Sequence, residues 1–580
     1  MSIRTNRLIP ATGMTLLLIT GIAFGAEPWP AEVTGHVAMK PGEHPRLLFR
    51  KSDLPALRER AKTSDGQAIL KRLRQQLNGG DGESMPRQYN PVVGKASKDG
   101  TGDFYKSASD GAYTFSHAAG YGLLYQLTGD RKYADLGRQC MVKALEGVRD
   151  RDNRYAFKHP YGALRAGPSL GWTALGYDLC YDGWDEQFQR RMTDALFNYA
   201  GDSGKRKFDL EYLVKGKRHF PASNHWGMQV GGGAMALLAV MGDAGTDPAK
   251  TEKLLKESSR AMVRNLTEGF GDGGYFAEGD GTGSMASHII FLTALQAWKN
   301  AAGRDFINPR PNVQWAALKW ILQTVPRKGN MAGGFVGRGG YPHNIWAREG
   351  ISGGSYCAIG YGAVTSEQVP AILWFYKKHL YEMDQKNGTP WDTVSPYPHH
   401  SVIAFVNTPF GIQPRNPADC MPRNVRDSKH GFYAFRNRWK DENDIVITQL
   451  TKRSPARFRH GPDKTMTIQH HGKREQWGSI PAKATVWRPG NDGSAIIGDG
   501  STSIAIDFSG ASGVDGMIVI TGPGAPSTGT VIEAGGRKFA FKFLTSAAAP
   551  KPTVSGGSIV VGKQTVGFKD GAITLSQFAE

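Results

Sequence analysis

The feature that most constrains the fold is a change of sequence periodicity about two thirds of the way along the chain. Up to about residue 385, apolar residues recur at helical spacing in one segment after another, and short Gly- or Asp-containing turns separate the segments. From about residue 431, the pattern consists of short β-branched runs separated by Gly, Asn and Asp, which is typical of antiparallel strands. The sequence therefore predicts a helical domain followed by a β domain.

Before residue 385 the periodicity predicts about eleven helices. They cover residues 118–127, 133–148, 170–181, 185–199, 228–241, 251–266, 284–301, 313–325 and 370–381, together with a helix capped by Ser52 that passes through Leu57, Leu70 and Leu73. Helices this numerous, joined by short turns, indicate stacked antiparallel hairpins. The closed form of such a stack is an (α/α) toroid, that is, an incomplete α/α barrel. An α-solenoid is the alternative, although no fixed repeat period supports it.

The predicted chain is multidomain α+β and has four regions. Residues 1–25 form a signal peptide, residues 26–385 the toroid, and residues 386–430 a linker rich in Pro, Asn and Asp. Residues 431–580 form an antiparallel β-sandwich. We expect any catalytic site to lie in the toroid.

The N-terminus has the organisation of a secretory signal. Arg4 and Arg7 form a basic region, residues 15–24 are apolar, and small residues allow cleavage after Gly25 or Ala26. The apolar stretch is too short for a membrane span, and no other segment reaches roughly 18 uninterrupted apolar residues. We expect a periplasmic or secreted protein without a membrane span.

The charge of the chain indicates a polyanionic partner. The chain has 71 Lys and Arg against 52 Asp and Glu, which gives a formal charge of +19. A field of this sign attracts polyanions. The basic residues are spread along the chain, with no basic tail and no zinc-finger spacing, so acidic polysaccharide is favoured over nucleic acid.

Two stretches fifty residues apart carry the groups needed to remove a proton next to a carboxylate. Asn224 and His225 come directly before a predicted helix, and the structural alternative is a helix cap and a structural histidine. Tyr275 lies in a glycine-rich loop, residues 271–281, and the alternative there is a long turn with the ring packed beneath it. Each stretch alone fits its structural alternative better. The two together predict a catalytic site.

Placed on a toroid followed by a β-sandwich, the two stretches resemble the heparinase II/III-like and alginate-lyase-like polysaccharide lyases. In that family an Asn or Gln precedes a His on one helix, and a Tyr in a Y-x-x-E-G loop follows some fifty residues later. Asn224, His225 and residues 275–279 match this order and spacing. Residues 44–49 and 176–182 are similar to other segments common in the family. The resemblance implies cleavage of a uronate-containing polysaccharide by β-elimination.

The resemblance also implies a catalytic histidine from the sandwich, in an H-G-H-x-D segment whose later residues bind a structural zinc. His460 takes the first His position of this segment. Pro462 replaces the second His, and the acid is displaced to Asp463. We therefore assign no metal ligand and expect no required cofactor, while occupancy of a sandwich zinc stays open. His470 and His471 are the rival match for the sandwich histidine.

The expected catalytic roles follow from the weak acidity of the C5 proton of a uronate. Hydrogen bonds or positive charge on the carboxylate stabilise the dianion that develops, and Asn224 and His225 are predicted to supply them. Tyr275 is predicted to take the proton. An ordinary tyrosine has a pKa of about 10, so Tyr275 needs a cationic pocket to act as a phenolate. Tyr275 or His460 would then protonate the leaving oxygen at C4.

Four further residues are predicted to contact the substrate: Trp226, Glu278, Arg338 and Arg165. The indole of Trp226 could stack on a sugar ring, with core packing as the alternative. Arg338 and Arg165 could meet a carboxylate or sulfate because guanidinium forks match these groups, with a structural role as the alternative.

Two other functions are consistent with the sequence. A glycoside hydrolase on the toroid would use two carboxylates drawn from Asp272, Glu278 and Asp280. A non-catalytic protein that binds acidic glycans would need no such pair. The sequence leaves open the polymer (alginate, glycosaminoglycan, ulvan or glucuronan), endo or exo action, and the oligomeric state.

Overall fold

The first part of the chain is helical, as predicted. The structure is a computed structural model that describes residues 29–93, 102–327, 330–336, 347–348, 351–391, 394–453, 461–509, 515–545, 550–569, 572–576 and 578. Its helices are α1 Leu54–Arg60, α2 Ser64–Asn78, α3 Gly102–Ser107, α4 His117–Thr128, α5 Arg131–Glu146, α6 Ala163–Cys180, α7 Glu186–Phe197, α8 Leu210–Val214, α9 Asn224–Val240, α10 Pro248–Arg264, α11 Asp280–His288, α12 Phe291–Ala302, α13 Trp315–Gln323, α14 Gly353–Tyr361, α15 Val369–His379, α16 Tyr381–Lys386 and α17 Pro398–Asn407.

The helices close into a ring. Helices α4, α6, α9, α12, α14 and α17 each contact the next, and α17 also contacts α4. Other helices pack outside this ring: α5 against α4 and α6, α7 against α6 and α9, α10 against α9, and α15 against α14. Helices α6 and α9 are buried on nearly all sides, so their sequences are apolar on every face. The predicted (α/α) toroid is confirmed, and the closure excludes a solenoid.

The segment predicted as a linker contains the helix that closes the ring. Helix α17 contacts α2, α4 and α14. Residues 402–405 are all buried, so apolar side chains point in every direction and leave no helical period to detect. His399 and His400 are buried too, although their polar character resembles a loop. The toroid thus extends to about residue 407, beyond the predicted boundary at 385.

Several other helices differ from their predicted bounds. Helix α6 begins at Ala163 rather than at residue 170, and the helix predicted from Ser52 through Leu73 is divided into α1 and α2. Helix α9 begins at Asn224 rather than at residue 228, because Ser223 caps it. The helix predicted over residues 284–301 is divided into α11 and α12, and the break falls at Ile289 and Ile290. None of the described helices combines the length and the hydropathy needed to cross a bilayer. The predicted signal peptide lies outside the described residues.

The second part of the chain is antiparallel β structure, as predicted. Short strands lie within the helical part, and longer ones follow it. The strands are β1 Ala31–Glu32, β2 Gly201–Asp202, β3 Lys207–Phe208, β4 Arg304–Asp305, β5 Thr324–Arg327, β6 Asn330–Phe335, β7 Ala347–Arg348, β8 Ile351–Ser352, β9 Asn424–Asp427, β10 Phe432–Arg436, β11 Val446–Leu450, β12 Met466–His470, β13 Lys473–Trp477, β14 Val486–Pro489, β15 Ala495–Gly498, β16 Ser503–Asp507, β17 Gly516–Thr521, β18 Thr530–Ala534, β19 Arg537–Leu544, β20 Thr553–Ser555, β21 Ser558–Val561, β22 Gln564–Lys569 and β23 Ala572–Leu575.

Three sheets stack behind the toroid. The first has the order β13-β12-β11-β10-β9, the second β14-β15-β16-β17-β19-β18, and the third β20-β21-β22-β23. Phe435 and Ile447 of the first sheet share a core with Ile504 of the second. The opposite face of the first sheet, including Phe432, packs into the toroid core. The predicted sandwich is confirmed, and a third sheet covers its far side through a separate core.

A buried ionic cluster joins two of the segments that carry the family resemblance. His44 lies 2.7 Å from the Asp178 carboxylate and 3.0 Å from that of Asp243. Arg46 forms an ion pair with Asp243 at 2.8 Å, and its backbone N–H donates to Asp178. Burial alone would raise the pKa of Asp243, but the hydrogen bonds and charges of His44 and Arg46 hold it below its ordinary value. The cluster anchors the N-terminal segment to α6.

Candidate active site

The Asn224–His225 stretch forms the first turn of α9. Ser223 is the N-cap, and its hydroxyl accepts a hydrogen bond from the His225 backbone N–H at 3.4 Å. Asn224 is therefore the first helical residue and not the cap that the structural alternative proposed. Its side-chain amide is buried and donates to the sulfur of Met285 at 3.5 Å, a weak acceptor. The amide can thus exchange this contact for a stronger one.

The Tyr275 stretch is a tight turn held by the β domain. The backbone N–H of Gly271 donates to the Tyr275 carbonyl at 3.0 Å, and Gly274 has a φ of +73°. Asp427 of β9 accepts hydrogen bonds from the N–H groups of Gly273 and Tyr275 at 3.1 and 3.0 Å. Burial raises the pKa of Asp427 to about 6. A sandwich residue thus fixes the backbone that carries Tyr275.

Glu278 brings the two stretches together. Its carboxylate accepts from the backbone N–H of Asn224 at 2.9 Å and also bonds the Ser223 side chain. Burial raises the pKa of Glu278, and these two hydrogen bonds oppose the rise. Glu278 is three residues after Tyr275, so the loop and the start of α9 form one unit. Glu278, which was predicted to bind substrate, is placed as the tie between the two predicted catalytic stretches.

His225 lies in a positive field. Its ring stacks on that of His219 with centroids 4.5 Å apart. Burial lowers the pKa of His225 to about 4, helped by His219 and by the charges of Arg165 and Arg206. The imidazole is therefore neutral near pH 7 and can act as a hydrogen-bond donor. Positive charge at this end of the site comes from the two arginines.

Tyr275 is enclosed by aromatic rings and a buried cation. Its ring stacks on Phe432 with centroids 4.8 Å apart, and the His430 ring lies 6.1 Å away. The Lys319 ammonium lies 5.2 Å from the ring centroid. Lys319 forms a buried ion pair with Asp280 at the start of α11. Tyr275 is itself fully buried. A cation therefore lies beside the Tyr275 ring, with Asp280 as its counter-ion.

The buried neutral histidines predict acid sensitivity. The folded pKa of His225 is about 4 against an ordinary value of 6.5, so between these values the unfolded chain binds more protons. The pKa values of His117 and His288 are lowered to about 4 and about 3 by burial.

We expect the unfolding temperature to fall as pH drops from 6.5 to 4. His225→Gln should show a shallower fall in a pH series of thermal scans, whereas exposed His159→Gln should keep the wild-type slope. If the unfolding temperatures of His225→Gln and the wild-type chain fell equally steeply with pH, His225 would not be a source of the acid sensitivity.

The structure places the remaining predicted residues differently. Trp226 is buried in the helical core, and its indole N–H donates to the Ala261 carbonyl at 3.0 Å, which is the environment of a core residue. Arg165 is buried in the first turn of α6 and donates to the Tyr155 hydroxyl at 2.5 Å, close enough to His225 to affect its charge. Arg338 and His460 lie outside the described residues.

His470 and His471 lie away from the two catalytic stretches. They occupy the β12–β13 turn, and their polar neighbours are sandwich residues such as Asp515 and Asn443. Nothing in their described contacts connects them with Tyr275. They therefore stay outside the proposed catalytic set.

Several residues of the site gave no sequence signal. Lys319 is a single charged residue in an apolar helix, and Asp427 is a single charged residue in a loop-like segment. Only their partners far away in the sequence show that they belong to the site. His399 and His400, which no prediction above included, form a pair at the start of α17. In the structure His399 stacks on Trp172 at 4.0 Å, in an aromatic enclosure on the inner ring. Burial lowers the pKa of His400 to about 3.

Comparison with known proteins finds likeness in three dimensions only. No family model and no curated protein matches the sequence. Among solved structures, the chain is similar to heparinase III (10% identity, 88% of this chain, 81% of that chain, TM-score 0.36). It is also similar to a mutant of the heparan sulfate lyase HepC from Pedobacter heparinus, with 12% identity over 92% of this chain and 98% of that chain and a TM-score of 0.37. A third similar structure is the heparinase III BT4657 gene product, with 11% identity over 89% of this chain and 85% of that chain and a TM-score of 0.37. Values this low transfer neither activity nor substrate to the present chain, whose function is inferred from its own residues.

Proposed function

We propose that this protein is a secreted polysaccharide lyase that cleaves a uronate-containing acidic polysaccharide by β-elimination. The observation that supports the proposal is the hydrogen bond from the Asn224 backbone N–H to Glu278, which ties the start of α9 to the loop that carries Tyr275. The formal charge of +19 supports an anionic polymer as the substrate.

The start of α9 receives the substrate carboxylate. The Asn224 amide and the neutral His225 imidazole donate hydrogen bonds to it, and Arg165 and Arg206 supply positive charge. These interactions strengthen as the C5 proton leaves and a second negative charge develops on the uronate, so they stabilise the transition state more than the bound substrate.

Tyr275 takes the proton. The Lys319 ammonium, 5.2 Å from the ring centroid, favours negative charge on the phenol oxygen. The hydrogen bonds to Asp427 hold the backbone that carries this ring. Because Tyr275 and Asn224 are buried, the side chains that cover them must move before a sugar can reach the phenol oxygen.

The elimination breaks the C5–H and C4–O bonds and forms a C4–C5 double bond. The phenolate oxygen of Tyr275 removes the C5 proton, and the C5–H electron pair forms the double bond. The C4–O bond breaks, and its electron pair stays on the leaving oxygen. That oxygen receives a proton from Tyr275 or His460. The products are a polymer end with a hydroxyl group and an unsaturated uronide, with no water consumed.

The proposal predicts a characteristic product. The full chain is incubated with alginate, heparan sulfate, chondroitin sulfate, ulvan and glucuronan in turn. We expect one of these polymers to give rising ultraviolet absorbance from the C4–C5 unsaturated uronide, together with shorter chains by gel filtration. Chain shortening without this absorbance would indicate hydrolysis and would overturn the lyase. Binding without shortening on any polymer would indicate a glycan-binding protein.

A further inference from the structure

A second group of chemically competent side chains lies at one end of the β-sandwich. His470 is the last residue of β12, His471 follows it in the turn to β13, and Asp515 directly precedes β17. One ligand atom from each lies within 4.8 Å of the other two. Two imidazoles and one carboxylate are a common set of divalent metal ligands.

Two of these ligand atoms have no hydrogen-bond partner. His470 Nε2 and Asp515 Oδ2 are both buried from solvent and unpaired, and they lie 4.0 Å apart. A buried polar atom without a partner costs about 1–3 kcal/mol. The distance between His470 Nε2 and Asp515 Oδ2 is too long for a direct hydrogen bond and is suitable for two ligands of one cation. A metal ion between them would satisfy both atoms.

The hydrogen bonds of His471 indicate which of its ring nitrogens would bind a metal. Its Nε2 lies 2.7 Å from the Thr545 carbonyl oxygen, which can only accept, so Nε2 carries the proton and Nδ1 carries the lone pair. Such a backbone carbonyl is the usual orienting partner of a metal-bound histidine. Nδ1 lies 2.5 Å from the side-chain oxygen of Asn443. With Nδ1 as the acceptor, the Asn443 amide donates to it through its NH₂ group, and a metal ion at Nδ1 would replace this contact.

The backbone at His471 is strained in a way that serves this arrangement. Its φ is +49°, in the left-handed region that non-glycine residues rarely adopt. This conformation places the two adjacent imidazoles side by side, with ring centroids 3.7 Å apart, instead of on opposite faces of a strand. Strain of this kind persists where surrounding interactions compensate for it.

We propose that His470, His471 and Asp515 bind a divalent transition metal, with zinc as the best match to two imidazole nitrogens and one carboxylate oxygen. A water completes the four ligands. The site differs from the zinc site that the family resemblance implies, which would include position 462 before β12. His470 is at the far end of that strand, eight positions after 462.

The metal would join two sheets. His470, His471 and Asn443 belong to the first sheet and its turns, whereas Asp515 and Thr545 flank β17 and β19 of the second sheet. Zinc ligand atoms lie about 3.3 Å apart at bond lengths of 2.0–2.1 Å. Binding would therefore shorten the 4.0 Å separation of His470 Nε2 and Asp515 Oδ2 by about 0.7 Å and link the two sheets. The metal has a structural role on this proposal, independent of the proposed lyase activity.

The test measures metal directly. The full chain is treated with a chelator, dialysed, and titrated with zinc, with the metal content read by mass spectrometry and the unfolding temperature by calorimetry. We expect one zinc per chain and an unfolding temperature that rises with zinc concentration. His470→Ala and Asp515→Asn should lose both effects, and His159→Ala, which changes an exposed histidine, should keep them.

A second readout needs no variant. Cobalt added to the chelator-treated wild-type chain should give the visible absorption of a four-coordinate site, and zinc should abolish it. The proposal would be overturned if His470→Ala kept the metal content of the wild-type chain. It would also be overturned if the chelator-treated wild-type chain neither took up zinc nor gained stability from it. A variant that fails to fold leaves the cobalt titration of the wild-type chain as the deciding measurement.

Discussion

Replacing Tyr275 by Phe is expected to lower the rate of unsaturated-uronide formation by roughly 10²–10⁴-fold, the usual contribution of a positioned acid–base group. The substitution removes one oxygen atom and keeps the ring. The stacking on Phe432 and the hydrogen bond from the backbone N–H to Asp427 do not involve the phenol oxygen. The loss should therefore be chemical, with the site still assembled.

The measurement compares initial rates of ultraviolet absorbance on the polymer that the wild-type chain cleaves, together with thermal unfolding. Tyr199→Phe is the matched control, because Tyr199 is equally buried and its hydroxyl donates to the Phe157 carbonyl at 2.9 Å. It should lose some stability and little activity. Wild-type rates of absorbance in Tyr275→Phe would show that a group other than the Tyr275 phenol removes the C5 proton, and would overturn its proposed role.

The fold could be predicted from the sequence because its two halves have different periods. Apolar runs such as residues 517–520 are continuous rather than alternating, and the structure gives the reason: the second sheet is buried on both faces. The same effect concealed α17, because a helix buried on every side has no amphipathic period. Burial on all sides thus removes the pattern on which such predictions depend.

The proximity of the two predicted catalytic stretches was foreseeable only from their order in a resembling family. The physical links are single long-range contacts: Glu278 to the N–H of Asn224, and Asp427 to the N–H of Tyr275 across 152 positions. No local pattern marks a carboxylate that will bond a distant backbone group. Asp427 also shows why the sandwich matters to the toroid site, since it fixes the loop without contributing chemistry to it.

The second large effect is expected at Lys319. Replacing it by Met leaves Asp280 buried without its counter-ion, and removing one partner of a buried ion pair costs about 3–5 kcal/mol. The Gln323 amide donates to Asp280 at 3.2 Å and compensates only part of the loss. Denaturant unfolding should show a lower midpoint with an unchanged slope.

The double variant Lys319→Met/Asp280→Leu separates the structural role of Lys319 from its effect on Tyr275. Apolar replacement of both partners of a buried pair is often neutral for stability, so the double variant should recover most of the stability that Lys319→Met loses. It still lacks the cation that lies 5.2 Å from the Tyr275 ring. We therefore expect recovered stability without recovered lyase activity. If activity returned together with stability, Lys319 would only hold the fold, and the phenolate would need another source of positive charge.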